Sequence, residues 1–111
     1  MAQEVVDRFQ QYVSREYMHP QSLMELARAA GVSRQHLMKL CRQMRLPSPM
    51  EYLFQKRLER ACEWLAHTGL TIAEISERCG FVNPFHFSRK FKQQYGTRPL
   101  QWRKQLWVKP S

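Results

Sequence analysis

Apolar positions along this chain recur every three or four residues, with polar and basic positions between them, which is the period of helices packed on one side. Val5, Val6, Phe9, Tyr12 and Val13 predict an amphipathic first helix of about three turns, broken at His19-Pro20. Leu23, Leu26, Ala27 and Ala30 predict a second helix. It opens with Ser22 and Glu25, the Ser-x-x-Glu spacing of a capping box, in which each side chain satisfies an orphan N–H of the first turn. Gly31-Val32 makes a turn. Ser33 then caps a third helix, with Leu37, Leu40, Cys41 and Met44 on one face and Arg34, Gln35, Met38, Lys39 and Arg42 on the remaining surface. Leu46-Pro47-Ser48-Pro49 ends it. From Pro49 to Thr68 the residues Phe54, Leu58, Ala61, Cys62 and Leu65 keep period without an internal Gly or Pro. That stretch reads as one long helix of about 18 residues, about 27 Å at 1.5 Å per residue, ended by Gly69.

The next segment repeats the earlier one. Thr71 and Glu74 form a second capping box, and Ile72, Ile75, Ser76 and Cys79 share a helical face. Gly80 takes the left-handed turn position, Asn83 is an N-cap, and Pro84 is tolerated at the first helical position. Phe87 and Phe91 form an i, i+4 apolar pair, while His86, Ser88, Arg89, Lys90 and Lys92 occupy the other faces. Ser22, Glu25, Gly31 and Val32 recur 49 residues later as Thr71, Glu74, Gly80 and Phe81. After a one-residue insertion the offset is 50, mapping Ser33, Leu37, Cys41, Pro49 and Tyr52 onto Asn83, Phe87, Phe91, Pro99 and Trp102. Gly96-Thr97-Arg98-Pro99 is a turn. Pro99 to Trp107 is expected to form a short closing helix with Leu100, Leu106 and Trp102 packing inward, and Lys109-Pro110-Ser111 is expected to fray.

The predicted fold is therefore all-α and homeodomain-like: about seven helices, as two helix-turn-helix subdomains (residues 1–48 and 69–111) joined by a linker helix (49–68). A rigid linker of that length suits two recognition helices one DNA turn apart, about 34 Å, on one face of a duplex.

Charge sharpens this reading. Eighteen Lys and Arg against nine Asp and Glu give a net +9, which favours a polyanionic partner, nucleic acid before an anionic membrane surface. With 43% hydrophobic residues the chain has enough apolar material for a core, which excludes wholesale disorder. No run approaches the ~18 apolar residues that span a bilayer, and no signal peptide is evident. Cys41, Cys62 and Cys79 are odd in number, widely spaced and set in apolar helical patterns, so they read as core thiols in a reducing cytoplasm. There is no Cys-x-x-Cys, and His19, His36, His67 and His86 make no ligand pair, so no metal or other cofactor is expected. The chain also lacks a glycine-rich phosphate loop and a Gly-x-Ser-x-Gly elbow, so an enzyme is not expected.

Tyr52-Leu53, Arg57-Leu58, Ala61, Leu65, Ile72-Ala73-Glu74-Ile75, Gly80-Phe81, Phe87-Ser88-Arg89, Phe91-Lys92, Gly96, Pro99 and Arg103 together resemble the DNA-binding domain of AraC/XylS-type transcription regulators. The resemblance runs from about residue 3 to residue 106, and its second half is the more specific. Departures are Leu46 where the family usually has Gly, Cys41 where it often has Phe, Trp102 in place of the commoner Tyr, and Pro84-Phe85 where relatives carry polar base-reading residues. The resemblance implies a bacterial, cytoplasmic promoter regulator, more often an activator that contacts RNA polymerase, whose effector or dimerisation domain is absent from this chain. Met1-Ala2-Gln3 leads almost directly into the first helix, so the expectation is the C-terminal part of a longer protein rather than a stand-alone regulator.

Candidate base-contacting residues are Arg34, Gln35, Met38, Lys39 and Arg42 in the first recognition helix and Pro84, Phe85, His86 and Arg89 in the second. Arg and Lys donate to guanine, Gln pairs with adenine, and an apolar side chain meets the thymine methyl or a sugar. Lys39, Gln35 and Arg89 lead by position; Met38 and His86 are equally readable as packing residues. Candidate phosphate contacts are Ser22, Ser33, Thr71 and Asn83 at helix N-termini, with Ser88, Lys92, Arg57 and Arg103. For Arg57 and Arg103 the alternative is an internal pair with a carboxylate such as Glu63 or Glu74, which Arg57 favours. The rival function is a helix-turn-helix-derived protein-interaction module presenting Trp107 and Tyr17 to a partner; it would bind with little salt dependence, whereas DNA binding would weaken steeply.

Overall fold

The structure, a computed structural model, describes residues 1–108; the fraying expected of residues 109–111 lies outside the described residues. Seven helices and no strand occur among them: α1 (Ala2–Glu16), α2 (Leu23–Ala30), α3 (Arg34–Gln43), α4 (Pro49–His67), α5 (Ile72–Arg78), α6 (Pro84–Tyr95) and α7 (Pro99–Trp107). The chain divides into two compact units, Met1–Lys56 and from Arg57 onward, so the division falls inside α4. Each unit thus contains one helix before its helix-turn-helix pair and one after it, with α4 serving both.

In the first unit the apolar stripe of α1, Val5, Val6, Phe9 and Val13, is buried with Leu26, Ala27, Ala30, Leu37, Leu40, Cys41 and Leu53. Tyr52 of α4 lies over Phe9 with ring centroids 5.2 Å apart. Tyr17, expected at the surface, is 7% exposed and belongs to this core, because α1 runs to Glu16 and carries the ring over the same face as Val13. The capping box at Ser22 and Glu25 is formed in both directions. At the other end of α2, Gly31 has φ 78°, and the amide N–H groups of Gly31 and Val32 donate to the carbonyls of Arg28 and Ala27. That is a Schellman cap, which needs a left-handed residue at its turn. Arg8 adds a second support: its Nε and Nη2 both donate to the Ala30 carbonyl, at 3.3 and 2.9 Å.

The end of α3 shows what the missing glycine at position 46 does. The left-handed residue is Arg45, φ 56°, and the Leu46 N–H closes back on the Cys41 carbonyl at 2.9 Å. In the second unit Gly96 itself takes the left-handed position, φ 80°, one residue later in register. A non-Gly residue there is held at a cost of about 1–2 kcal/mol, part of which Gly would return as unfolded-chain entropy. Arg45→Gly should therefore raise stability by about 0.5–1 kcal/mol, read as a higher urea midpoint at unchanged slope.

The second unit repeats the first bond for bond at its turn. Gly80 has φ 91°, and the amides of Gly80 and Phe81 donate to Glu77 and Ser76 carbonyls at 3.1 and 3.0 Å. Its core is Leu58, Ala61, Leu65, Ile75, Cys79, Phe81, Phe87 and Phe91. Phe91 stacks edge-on against Trp102 at 5.8 Å. Ser76 occupies the place of Ala27, 49 residues earlier, and its buried hydroxyl has no hydrogen-bond partner. Ser76→Ala should raise stability by about 1 kcal/mol in thermal unfolding, since an unsatisfied buried polar group costs roughly 1–3 kcal/mol.

Two expectations for this unit are corrected. Gly69 does not end α4 by a left-handed turn; the positive-φ glycines are Gly31, Gly80 and Gly96. The terminal carbonyls are satisfied instead by side chains: Thr68 Oγ1 donates to Trp64 O at 2.6 Å, and the Arg103 guanidinium reaches Trp64, Leu65 and Thr68. In α7 it is Pro99 and Arg103 that face inward, with Trp102 half-buried. Leu100 and Leu106 are 49% and 50% exposed, because the single buried stripe of this short helix is taken by the arginine.

Candidate nucleic-acid interface

Each unit presents its second helix-turn-helix member to solvent along one side. In α3 the N-cap Ser33 Oγ accepts from the His36 amide at 3.1 Å, and Leu37, Leu40 and Cys41 are buried. That orientation leaves Arg34, Gln35, Lys39 and Arg42 exposed and Met38 half-buried. In α6 Asn83 Oδ1 accepts from the His86 amide at 2.8 Å, Pro84 fills the first helical position, and Phe87 and Phe91 are buried. Phe85, Arg89 and Lys92 are then exposed, with Pro84, His86 and Ser88 half-buried. By the offset of 50, Gln35, Met38, Lys39 and Arg42 correspond to Phe85, Ser88, Arg89 and Lys92.

The electrostatics of the two surfaces match. The nine acidic residues include none between Glu25 and Glu51 and none after Glu77, so both recognition helices carry three Lys or Arg and no carboxylate. Beside the first turn a groove is lined by Met24, Arg28, Gly31, Ser33, Arg34 and Gln35, so that two guanidinium side chains share it with the N-terminal end of α3. Arg28, which lines the groove from α2, and His36, which is exposed, were not foreseen as part of this surface; the signal available for His36 was its position one turn after Ser33. Ser22 and Thr71 are exposed at the starts of α2 and α5, with their hydroxyl oxygens accepting from the Glu25 and Glu74 amides.

His86 packs edge-on against Phe81 with centroids 5.5 Å apart. Burial lowers its pKa, and the nearby cations Lys90, Arg89 and Arg57 lower it further, so the ring is neutral at pH 7. The residue is half-buried, and its contact with Phe81 is the one expected of a packing residue. Cys79 is fully buried and its thiol is pushed up to about 12, and burial also raises Cys41. These are inert core thiols.

Two expected phosphate contacts are corrected. Arg103 is 6% exposed, and its three nitrogens donate to the carbonyls of Leu65, Leu70, Trp64 and Thr68 at 2.6–3.4 Å. It ties α7 to the α4–α5 connection through carbonyls, not through Glu63 or Glu74. Arg57 is 5% exposed with its guanidinium 5.8 Å from the Phe81 ring centroid, and burial lowers its pKa. It stands 49 residues after Arg8, which supports the equivalent turn in the first unit. Glu63 pairs with Arg60 at 2.9 Å.

No helix among the described residues is long and apolar enough to cross a membrane. The family of helix-turn-helix domains matches residues 26–105. The chain is 31% identical over 101 residues to the Msm operon regulatory protein of Streptococcus mutans, an alignment covering 91% of this chain and 36% of that protein. Among solved structures it is similar to the C-terminal domain of AraT, a response regulator from Geobacillus stearothermophilus, with a TM-score of 0.88, 31% identity and coverage of 95% and 88%. It is also similar to a transcriptional regulator with an AraC-type DNA-binding domain from Chromobacterium violaceum, with a TM-score of 0.87, 28% identity and coverage of 97% and 96%. The chain spans about a third or less of the length of the curated relatives it matches. A repeated, acid-free recognition helix on each of two helix-turn-helix units, together with these likenesses, places the chain in the AraC-type family of helix-turn-helix DNA-binding domains.

Proposed function

We propose that the chain binds double-stranded promoter DNA sequence-specifically, inserting α3 and α6 into successive major grooves of one asymmetric site, and that it regulates transcription, as an activator that meets RNA polymerase. The observation that carries this reading is the pair of solvent-facing, carboxylate-free helices with Lys39 and Arg89 at equivalent places. Both side chains can donate to guanine O6 and N7. Arg34, Gln35, Arg42 and Phe85 supply further base contacts, with Met38, Pro84 and His86 beside them. Ser22, Ser33, Thr71, Asn83, Ser88 and Lys92 meet phosphates, which set register and affinity but carry no sequence information. The N-capping residues do so through helix N-termini. The binding chemistry needs no cofactor and no catalytic group.

Selection from randomised duplexes tests it. Lys39→Ala and Arg89→Ala are both exposed substitutions and should fold normally. Each should relax a different half of the selected motif and weaken binding to the parent motif by about 10- to 100-fold, the discrimination of a good base contact. Uniform weakening with an unchanged motif would reassign both residues to phosphates.

A further inference from the structure

The two units differ at the leading end of their recognition helices. The second turn carries one residue more than the first, and that inserted residue is Val82, 92% exposed. Three residues on, Phe85 is 78% exposed, where the first unit has Gln35. Exposed large apolar side chains set close together mark an interaction surface rather than a solvated one. Val82 immediately precedes the N-cap Asn83, and Phe85 lies in the first turn of the helix that carries Arg89, Lys90 and Lys92, with no carboxylate after Glu77. The partner must therefore be polyanionic and offer apolar groups at the depth a helix N-terminus reaches. On a DNA major-groove edge the one apolar group is the C5-methyl of thymine.

We propose that Val82 and Phe85 are specificity-determining residues that read thymine methyl groups, so that the two units read DNA by different chemistry. The first unit reads by hydrogen bonds from Gln35, Lys39 and their neighbours. The second reads thymines by apolar contact and adds the donors of Arg89. The assignment rests on the DNA-binding function proposed above. It also accounts for the half-buried Pro84 between them, since a proline at the first helical position offers no N–H and extends the apolar surface.

Deoxyuridine substitution isolates the methyl group, because uracil differs from thymine in nothing else. The full chain is first used to select a motif, and the half-site of the second unit is identified as the half relaxed by Arg89→Ala. Each thymine of that half is then replaced by deoxyuridine and affinity is measured. Binding should fall about fourfold per contacted methyl, the equivalent of burying one such group, while replacements in the other half leave it unchanged. Phe85→Ala should bind the parent duplex more weakly and lose most of the sensitivity to deoxyuridine, and Val82→Ala should lose it at a single position. A selected motif bound equally well with and without its thymine methyls overturns the proposal and leaves the DNA-binding function standing. Sensitivity that persists in Phe85→Ala overturns it too, because the methyl then acts through duplex shape. An unchanged affinity in Phe85→Ala assigns the patch to a protein partner. Absence of any selected motif removes the underlying function together with the proposal.

Discussion

Replacing Arg103 with Ala is expected to destabilise the second unit by about 3 kcal/mol. The guanidinium is buried and its donors serve four backbone carbonyls around the end of α4. Removing it takes the charged donor from each of these carbonyls, of which Trp64 O keeps Thr68, in a region little open to water, and bonds to charged donors contribute roughly 1.5–3 kcal/mol each before overlap. Trp107 loses support as well, since the Arg103 guanidinium lies 4.8 Å from its ring centroid while its Nε1 holds the Ala66 carbonyl. Arg103→Lys should recover little, because an ammonium cannot present the flat fork that spans several carbonyls. Denaturant unfolding of the full chain reads the effect. Unchanged stability, with a DNA salt slope lowered by about one, would restore the phosphate role expected from the sequence.

A larger loss, about 3–5 kcal/mol, is expected for Phe87→Ala. Phe87 is fully buried, 5.2 Å from Phe81 in the turn and 5.8 Å from Phe91 one helical turn on. It links the turn to the recognition helix, so its removal opens a cavity where α6 is oriented. Phe87→Leu, which refills part of the volume, should cost clearly less. The functional consequence is selective. Duplex selection with Phe87→Ala should lose the motif half that depends on Arg89 and keep the half that depends on Lys39. Loss of both halves would mean that the units do not read independently.

How much of this was legible in the sequence follows from what kind of force places each residue. The capping boxes, the turn glycines Gly31 and Gly80 and the buried faces of α2, α3, α5 and α6 were readable, because local backbone chemistry and helical period determine them. So was the exposure of Arg34, Gln35, Lys39, Arg42, Arg89 and Lys92, which follows once Leu37 and Phe87 are placed inside. Arg57 and Arg103 were not, because an arginine on a basic surface and one that caps a helix end from 33–39 residues away look alike in sequence. The 49-residue offset from Arg8 to Arg57 was a usable signal, had the repeat been extended back into α1. Leu100 and Leu106 were misplaced for the same reason: apolar identity suggested the inward face of α7, and the carbonyls above it selected Arg103. Gly69 looked like a helix stop by residue type, whereas the stop is made by Thr68 and Arg103.

Selection of the full chain against randomised duplexes at about 50 and 200 mM salt tests the central claim most directly. The account predicts two unlike half-sites centred about one helical turn, 10–10.5 base pairs, apart. It also predicts affinity that falls steeply between the two salt concentrations, as release of counterions from several phosphates requires. A chain that binds no duplex even at the lower salt, or one that binds every duplex alike, would contradict it.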